Sequence, residues 1–277
     1  MAPIEHSTAS PPGRDGDWLP AVDRIELKSD EVHVWRVDVG ERAAIGAGAL
    51  VTLSEAERAR AARFHFEADR RRFVAAHVAL RGILASYLGA QPSSLVFGEG
   101  SHGKPFVAAP EHGRSLRFSL SHSGEVALVA VSLGREVGVD VERVRPREDL
   151  AGFVARYFSP LERQALQRLL SVDRLRAFFE TWTLKEAYLK ACGEGLLREL
   201  DAFDVTVGDA QPRLLAVRDR PGDEARWTLR RLDPGEGHVG ALAVEGSDWQ
   251  LRDQTGSCVK GTWAAGSRTQ YRSREAG

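Results

Sequence analysis

The spacing of apolar residues predicts two similar halves, each built from a pair of helices and several short strands. Residues 54–68, 69–88, 160–170 and 173–192 show the apolar spacing of helices. The segment SEAER from Ser54 resembles SPLER from Ser159, and each places a serine three residues before a glutamate, a pattern that caps helix starts. A long helical pattern also follows both Asp69 and Asp173, so the chain contains a weak internal repeat.

Strands are predicted around these helices from β-branched and aromatic residues between turn-forming residues. They cover 33–39, 117–121, 126–131, 137–141, 203–207, 226–232 and 239–244, and we expect 126–131 to pair with 137–141 across Gly134. The predicted fold is α+β, with two similar halves related by a pseudo-twofold axis, each a small, mostly antiparallel sheet packed with helices. A cleft between the halves would be a natural ligand site.

Composition sets the outer limits of this arrangement. The first half is expected at 21–135 and the second at 136–248, whereas the polar flanks 1–20 and 249–277 are not expected to pack. The chain of 277 residues is 43% hydrophobic and 28% charged with a net charge of −1, which favours neither nucleic acid nor membrane as partner. Two cysteines without disulfide spacing, no long apolar run and no secretory signal predict a cytoplasmic protein.

Two carboxylates lie at alternate positions of a predicted strand. In GVDVE at 138–142, Asp140 and Glu142 share one face, and the intervening valines face the core. Like charges this close repel unless a cation lies between them, and Mg²⁺ prefers such oxygen ligands. A solvated strand edge, or pairing with neighbouring arginines, explains a motif this short equally well.

The segment WTLKEAYLK at 182–190 adds a third acid on a helix. Glu186 could supply another oxygen ligand if this helix crosses the strand of Asp140, and Lys190 would then point at the same anion one turn later. The alternative is an ordinary surface pair between a glutamate and a lysine four residues apart.

Donor groups for a phosphate are the third candidate feature. The strand FSLSHSG at 118–124 presents Ser121 and His122, which cannot easily act as nucleophile and base because adjacent strand residues face opposite ways. A turn-capping serine beside a structural histidine is the alternative. The first helical block is rich in arginine, and the turn GKP at 103–105 adds Lys104. A solvated helix face or nucleic-acid contact would also explain the arginines.

These motifs, in this order, resemble the surfactin-synthetase-activating type of the 4′-phosphopantetheinyl transferase superfamily. The resemblance covers about residues 53–207 and extends more loosely to 244. It implies a two-half fold with coenzyme A in the cleft. It also implies Mg²⁺, with Mn²⁺ as an alternative, on Asp140, Glu142 and Glu186. Contacts to coenzyme A would come from Arg60, Arg72, Lys104, Ser121, His122 and Lys190. One departure is Glu57, where a basic residue is common.

The implied reaction moves the phosphopantetheine arm of coenzyme A to a serine of an apo acyl or peptidyl carrier protein, leaving 3′,5′-ADP. Glu186, directly or through a metal-bound water, would be the base, and Lys190 would steady the developing charge. The carrier is expected to dock near Gly193, Gly195, Leu196 and Leu197, on a monomer. A metal-dependent phosphohydrolase of coenzyme A or a nucleotide, and a non-enzymatic nucleic-acid-binding module, are the alternatives.

Overall fold

The computed structural model describes residues 24–41, 43, 48–108, 115–193, 195 and 198–254. The predicted flank 1–20 and the part of the C-terminal flank beyond residue 254 lie outside this range, as does Cys258. No helix within the described residues has the length and apolarity required to cross a membrane.

The described elements fall into two successive series. The first comprises β1 (Glu31–Asp38), α1 (Ala49–Thr52), α2 (Glu55–Ala62), α3 (Glu67–Leu88), β2 (Phe97–Glu99), β3 (Pro105–Val107), β4 (Leu116–Ser123) and β5 (Val126–Leu133). The second comprises β6 (Val137–Arg143), α4 (Leu150–Tyr157), α5 (Pro160–Arg168), α6 (Ser171–Cys192), β7 (Phe203–Val205), β8 (Leu214–Val217), β9 (Trp227–Leu232), β10 (His238–Glu245) and β11 (Gln250–Asp253).

The sheets repeat the same strand order in each series. One sheet has the order β11-β1-β5-β4 and the other β6-β10-β9, and β2–β3 and β7–β8 form two small ribbons. Every strand pairing among the described residues is antiparallel except that of β1 with β11. The α+β class is therefore confirmed, and β1-β5-β4 corresponds to β6-β10-β9.

The helices show why the sequence repeat exists. Ser54 and Ser159 each cap a helix through a complete capping box, as their spacing to the following glutamate predicts. The long helices α3 and α6 both have 22 residues and end at left-handed glycines, Gly89 and Gly193. Each long helix packs on its own sheet, where valine, leucine and alanine side chains form the core.

A buried ion pair ties the short helix to the long helix in both halves. Glu57 pairs with Arg81 Nη2 at 2.7 Å, and Glu162 pairs with Lys185 Nζ at 2.5 Å. Burial opposes ionisation of Glu57, but hydrogen bonds from His77, Arg81 and Ser54 prevail and lower its pKa to about 2. Glu57 is therefore a structural acid of the repeat, which accounts for the absence of a basic residue there.

Three sequence-based expectations are wrong. The predicted hairpin of 126–131 with 137–141 does not form, because β5 is paired on both edges by β1 and β4 while β6 pairs with β10. The helix expected over 54–68 ends at Ala62, and α3 begins only at Glu67. The C-terminal flank expected from 249 begins later, since Trp249 is buried and β11 adds to the first sheet.

Candidate active site

The strand β6 and the helix α6 touch where the GVDVE motif begins. A Cβ atom placed on Gly138 would lie 2.0 Å from the carbonyl oxygen of Ala187 and 2.3 Å from the amide nitrogen of Ala191. Only glycine permits this approach, and small residues on the helix match it. The contact sets the acids of β6 beside Glu186 and Lys190, because these flank Ala187 and Ala191 on α6.

Asp140 is the most enclosed acid of the site, with 4% of its surface exposed. Its Oδ1 accepts hydrogen bonds from Ser121 Oγ at 2.7 Å and from Lys190 Nζ at 2.6 Å. Its Oδ2 is buried and has no hydrogen-bond partner. A buried carboxylate oxygen left this way is energetically costly, and a bound cation would satisfy it.

Glu142 and Glu186 complete the acidic cluster. Burial raises the pKa of Glu142, and Asp140 adds to the effect although Ser123 Oγ donates to Glu142 Oε2 at 2.7 Å. Burial, followed by the charges of Asp140 and Glu142, raises the pKa of Glu186 to about 7, against the opposing charge of Lys190. The three acids thus perturb one another, which identifies them as neighbours and as a functional-site candidate.

A ladder of serine hydroxyls joins the two halves next to these acids. Ser119, Ser121 and Ser123 occupy alternate positions on one face of β4. Their hydroxyl oxygens accept from the backbone amides of Val139, Val141 and Arg143 at 3.1, 3.4 and 3.1 Å. Since β6 pairs with β10 on its other edge, this serine ladder satisfies the edge that would otherwise lack partners.

Basic side chains gather on the other face of β4. Partial burial of His122 lowers its pKa, and the charges of His77, Lys190, Arg60 and Arg72 lower it further. Lys190 lies at the acids, whereas Arg60 and His122 are exposed to solvent. The residues Arg60, Arg72, His77 and His122 are called the basic basin below. It brings together three of the predicted coenzyme A contacts and adds His77.

Comparisons with known proteins agree with this geometry. The family model described as the 4′-phosphopantetheinyl transferase superfamily matches residues 136–243, and the model described as 4′-phosphopantetheinyl transferase, N-terminal, matches 46–134. The 4′-phosphopantetheinyl transferase HetI of Nostoc sp. is 39% identical over 233 residues, covering 84% of this chain and 95% of that protein. The chain belongs to the 4′-phosphopantetheinyl transferases.

Two further similarities were found among known proteins. The 4′-phosphopantetheinyl transferase Sfp of Bacillus subtilis is 27% identical, covering 55% of this chain and 66% of that protein, in line with the surfactin type. The holo-[acyl-carrier-protein] synthase of Thermotoga maritima overlaps with a TM-score of 0.31 at 23% identity, covering 40% of this chain and 63% of that chain.

Lys104 lies at the end of α6 and pairs with Glu136. Its ammonium group donates to Glu136 at 2.6 Å and to the carbonyl oxygens of Val137 and Ala191 at 3.1 and 2.8 Å. It therefore caps the end of α6, beside a cavity of about 610 Å³ that Arg117 also lines. Burial lowers the pKa of Lys104 even though Glu136 opposes the change. Its contact with coenzyme A stays a prediction.

The arginines of the first helical block are largely engaged with their own surroundings. Arg70 pairs with Glu67 at 2.7 Å and Arg72 with Asp69 at 3.0 Å. Arg58 donates to backbone carbonyls before α2. Such local pairs are typical of a solvated helix face, whereas the guanidinium of Arg60 instead lies over the Phe73 ring at 5.4 Å.

Sequence reasoning missed Ser119, Ser123 and His77. The alternation of serines in FSLSHS was a usable signal for the ladder, since period-two polar residues mark one strand face. His77 gave no such signal, because it lies inside an apolar helical pattern. Of the expected docking region, Gly193 ends α6 and Gly195 follows with positive φ, whereas Leu196 and Leu197 lie outside the described residues.

The acidic cluster has the chemistry of a divalent metal site. Among the described residues, no group of three or more histidine, cysteine or acidic side chains is arranged to hold an ion as it stands. Asp140 instead contacts the ammonium of Lys190, and its second oxygen is unpartnered. The three carboxylates repel one another, and Asp140 Oδ2 is buried without a partner. Mg²⁺ prefers oxygen ligands of this kind, so Asp140, Glu142 and Glu186 fit a Mg²⁺ site.

Proposed function

We propose that this transferase moves the 4′-phosphopantetheine arm of coenzyme A to a serine of an apo acyl or peptidyl carrier protein at the junction of β4, β6 and α6. The observation that carries the proposal is the convergence of Asp140, Glu142, Glu186 and Lys190 in a chain of this family. Asp140, Glu142 and Glu186 would hold Mg²⁺, or Mn²⁺ in its place, which would supply charge neutralisation at the pyrophosphate.

The reaction exchanges one phosphorus–oxygen bond for another. The carrier serine oxygen attacks the β-phosphorus, the bond from that phosphorus to the bridging oxygen breaks, and 3′,5′-ADP leaves with the bond electrons. Glu186 takes the serine proton, and burial together with the charges of Asp140 and Glu142 makes its carboxylate a stronger base than an exposed glutamate. Lys190, fixed by Asp140 and Ser121, stabilises negative charge on the phosphates.

Binding of coenzyme A is divided between two groups of residues. Lys190 and Ser121 lie at the acids and would contact the pyrophosphate, whereas Arg60, Arg72 and His122 would hold the nucleotide end. Both groups belong to one copy of the chain, which supports a monomeric enzyme. The cytoplasm is proposed as its location because the reaction draws on coenzyme A and carrier proteins.

Intact-mass spectrometry tests the reaction. An apo carrier protein incubated with the full chain, coenzyme A and Mg²⁺ should gain the mass of one phosphopantetheine, and chelation or Asp140→Asn should prevent it. Asp219, an exposed acid on the C-terminal side, provides the matched control as Asp219→Asn. Release of 3′,5′-ADP without any carrier gain, across several carrier types, would favour a phosphohydrolase and reject the transfer.

A further inference from the structure

The helix α3 carries a histidine that the reaction described above does not use. His77 is partly buried, with 19% of its side chain exposed, and its Nδ1 lies 3.0 Å from Glu57 Oε1. No other described residue forms a hydrogen bond with His77, so its Nε2 is available to a ligand. The ring is held firmly, because its centroid also lies 4.0 Å from that of Phe73.

Phe73 links His77 to the basic basin. The guanidinium of Arg60 lies 5.4 Å from the centroid of the ring that His77 also contacts. Arg60 of α2 and His77 of α3 thus both contact the Phe73 ring. His122 lies near the end of β4. The charge of His77 is among those that lower the pKa of His122, which agrees with both imidazoles belonging to the basic basin.

Glu57 does not cancel the positive charge of the basin. Its Oε2 accepts from the buried Arg81 and from the backbone amide of Ser54, so the acid is already compensated when His77 contacts Oε1. An imidazole that donates Nδ1–H to a carboxylate and Nε2–H to an anion carries a full positive charge. With both ring nitrogens protonated, His77 adds a cation beside Glu57, the position at which the sequence lacks a basic residue.

Coenzyme A carries phosphate in two separate places, and the acids account for only one of them. The pyrophosphate belongs with the metal-binding acids and Lys190 under the proposed function. The 3′-phosphate is a monoester dianion that requires several donors of its own. His122 lies on the face of β4 opposite to Ser121, and the two guanidinium and two imidazole groups of the basin offer several donors to the 3′-phosphate.

We infer that His77, oriented by Glu57, is a further binding residue of this transferase and donates through Nε2 to the 3′-phosphate of coenzyme A. This inference rests on the proposed function for the identity of the substrate. It assigns Glu57 the part of a positioning residue, since Glu57 acts on the ligand only through His77.

Two isosteric variants separate binding from structure. In His77→Asn the side-chain amide can still donate to Glu57, but it does not extend to the position of Nε2. In His77→Gln the longer side chain places an N–H near that position. Titration calorimetry with 3′,5′-ADP and with 5′-AMP isolates the contribution of the 3′-phosphate. His77→Asn should weaken binding of 3′,5′-ADP by about tenfold or more and leave 5′-AMP unchanged, with affinity largely retained in His77→Gln.

Steady-state kinetics provide a second readout. His77→Asn should raise KM for coenzyme A without lowering kcat, and it should leave KM for 3′-dephospho-coenzyme A unchanged. His65, an exposed histidine between α2 and α3, gives the control variant His65→Asn. Equal losses with both nucleotides, or a parent protein that does not prefer 3′,5′-ADP over 5′-AMP, would overturn the assignment.

The two proposals fail separately. The calorimetry requires no carrier protein, so a 3′-phosphate effect in a protein that modifies no carrier would reject the transfer and retain His77. Efficient carrier modification, combined with equal losses of affinity for 3′,5′-ADP and 5′-AMP in His77→Asn, would retain the transfer and reject the role of His77.

Discussion

Lys190 Nζ lies 2.6 Å from Asp140 Oδ1 and also donates to Ser121 Oγ. Lys190 itself lies on α6, one turn after Glu186. The contact joins α6 to Asp140 on β6, and Ser121 on β4 of the first half contacts the same carboxylate. It holds the ammonium at the acids before substrate arrives, so the group needs little reorganisation during the reaction.

Replacing this ammonium should slow turnover more than it weakens binding. In Lys190→Met we expect kcat to fall by about a hundredfold, since a fixed donor to developing charge is lost. Steady-state assays with carrier and coenzyme A measure the change, with Lys28→Met at an exposed lysine as control. Unchanged kcat in Lys190→Met would remove the lysine from the reaction.

The pKa of Glu186 predicts the pH dependence of the rate. Burial and the neighbouring acids raise this pKa to about 7 without metal, and a bound Mg²⁺ would lower it because a cation favours the ionised carboxylate. A profile of kcat/KM for the parent should therefore fall on the acid side, with a midpoint below about pH 7 that moves to lower pH as the Mg²⁺ concentration rises. In Glu186→Gln that limb should disappear along with most of the activity. An identical profile in both proteins would contradict the role of base.

The same shift predicts a gain in stability from removing the charge. The carboxyl binds its proton more tightly in the folded protein than in the unfolded chain, so the stability it contributes is lost as the pH rises through about 7. Without divalent metal, Glu186→Gln should melt at a higher temperature than the parent on the alkaline side. Added Mg²⁺ should narrow the difference by stabilising only the parent.

The close approach at Gly138 predicts a variant that fails through packing. Since an added Cβ would lie 2.0 Å from the Ala187 carbonyl oxygen, Gly138→Ala must push α6 off the strand. We expect loss of about 1–3 kcal/mol of unfolding free energy in urea titrations, together with loss of transfer. Gly82→Ala is the control, because no atom other than the adjacent residues and the nearby backbone of α3 lies within 4 Å of the Cβ position there.

The serine ladder predicts a stability effect without a substrate effect. Ser119 contacts none of the acids, and its hydroxyl oxygen is the acceptor for the buried amide of Val139. Ser119→Ala should cost about 1–3 kcal/mol in urea titrations, because that amide is left unpaired. KM for coenzyme A should not change. A shift in KM larger than the stability loss explains would show that the ladder also shapes the binding site.

Local signals in the sequence predicted the helices and the acids well. The capping serines at 54 and 159, and the periodic apolar residues after them, fix helix starts through contacts only a few residues apart. The shared face of Asp140 and Glu142 follows from strand geometry alone, and the nearness of Glu186 followed from the predicted crossing of helix and strand.

Strand partners could not be read from the same signals. The hairpin predicted across Gly134 joined the nearest strands, whereas β6 pairs with β10 about a hundred residues later. Lys104 was grouped with the phosphate ligands by its motif, but the end of α6 and Glu136 determine where its ammonium lies. The pairing of β6 and the contacts of Lys104 both depend on tertiary packing between distant segments, which short-range patterns do not encode.

The pairing of β11 with β1 limits how this enzyme can be divided. After β10, the last strand of the second sheet in chain order, Trp249 is buried and β11 forms the outer strand of the first sheet. A cut at residue 135 would therefore strip the first fragment of an edge strand and leave the β6 amides of the second without their serine acceptors. Although the two halves repeat one pattern, they are not interchangeable modules, and we expect neither fragment to be soluble when expressed alone.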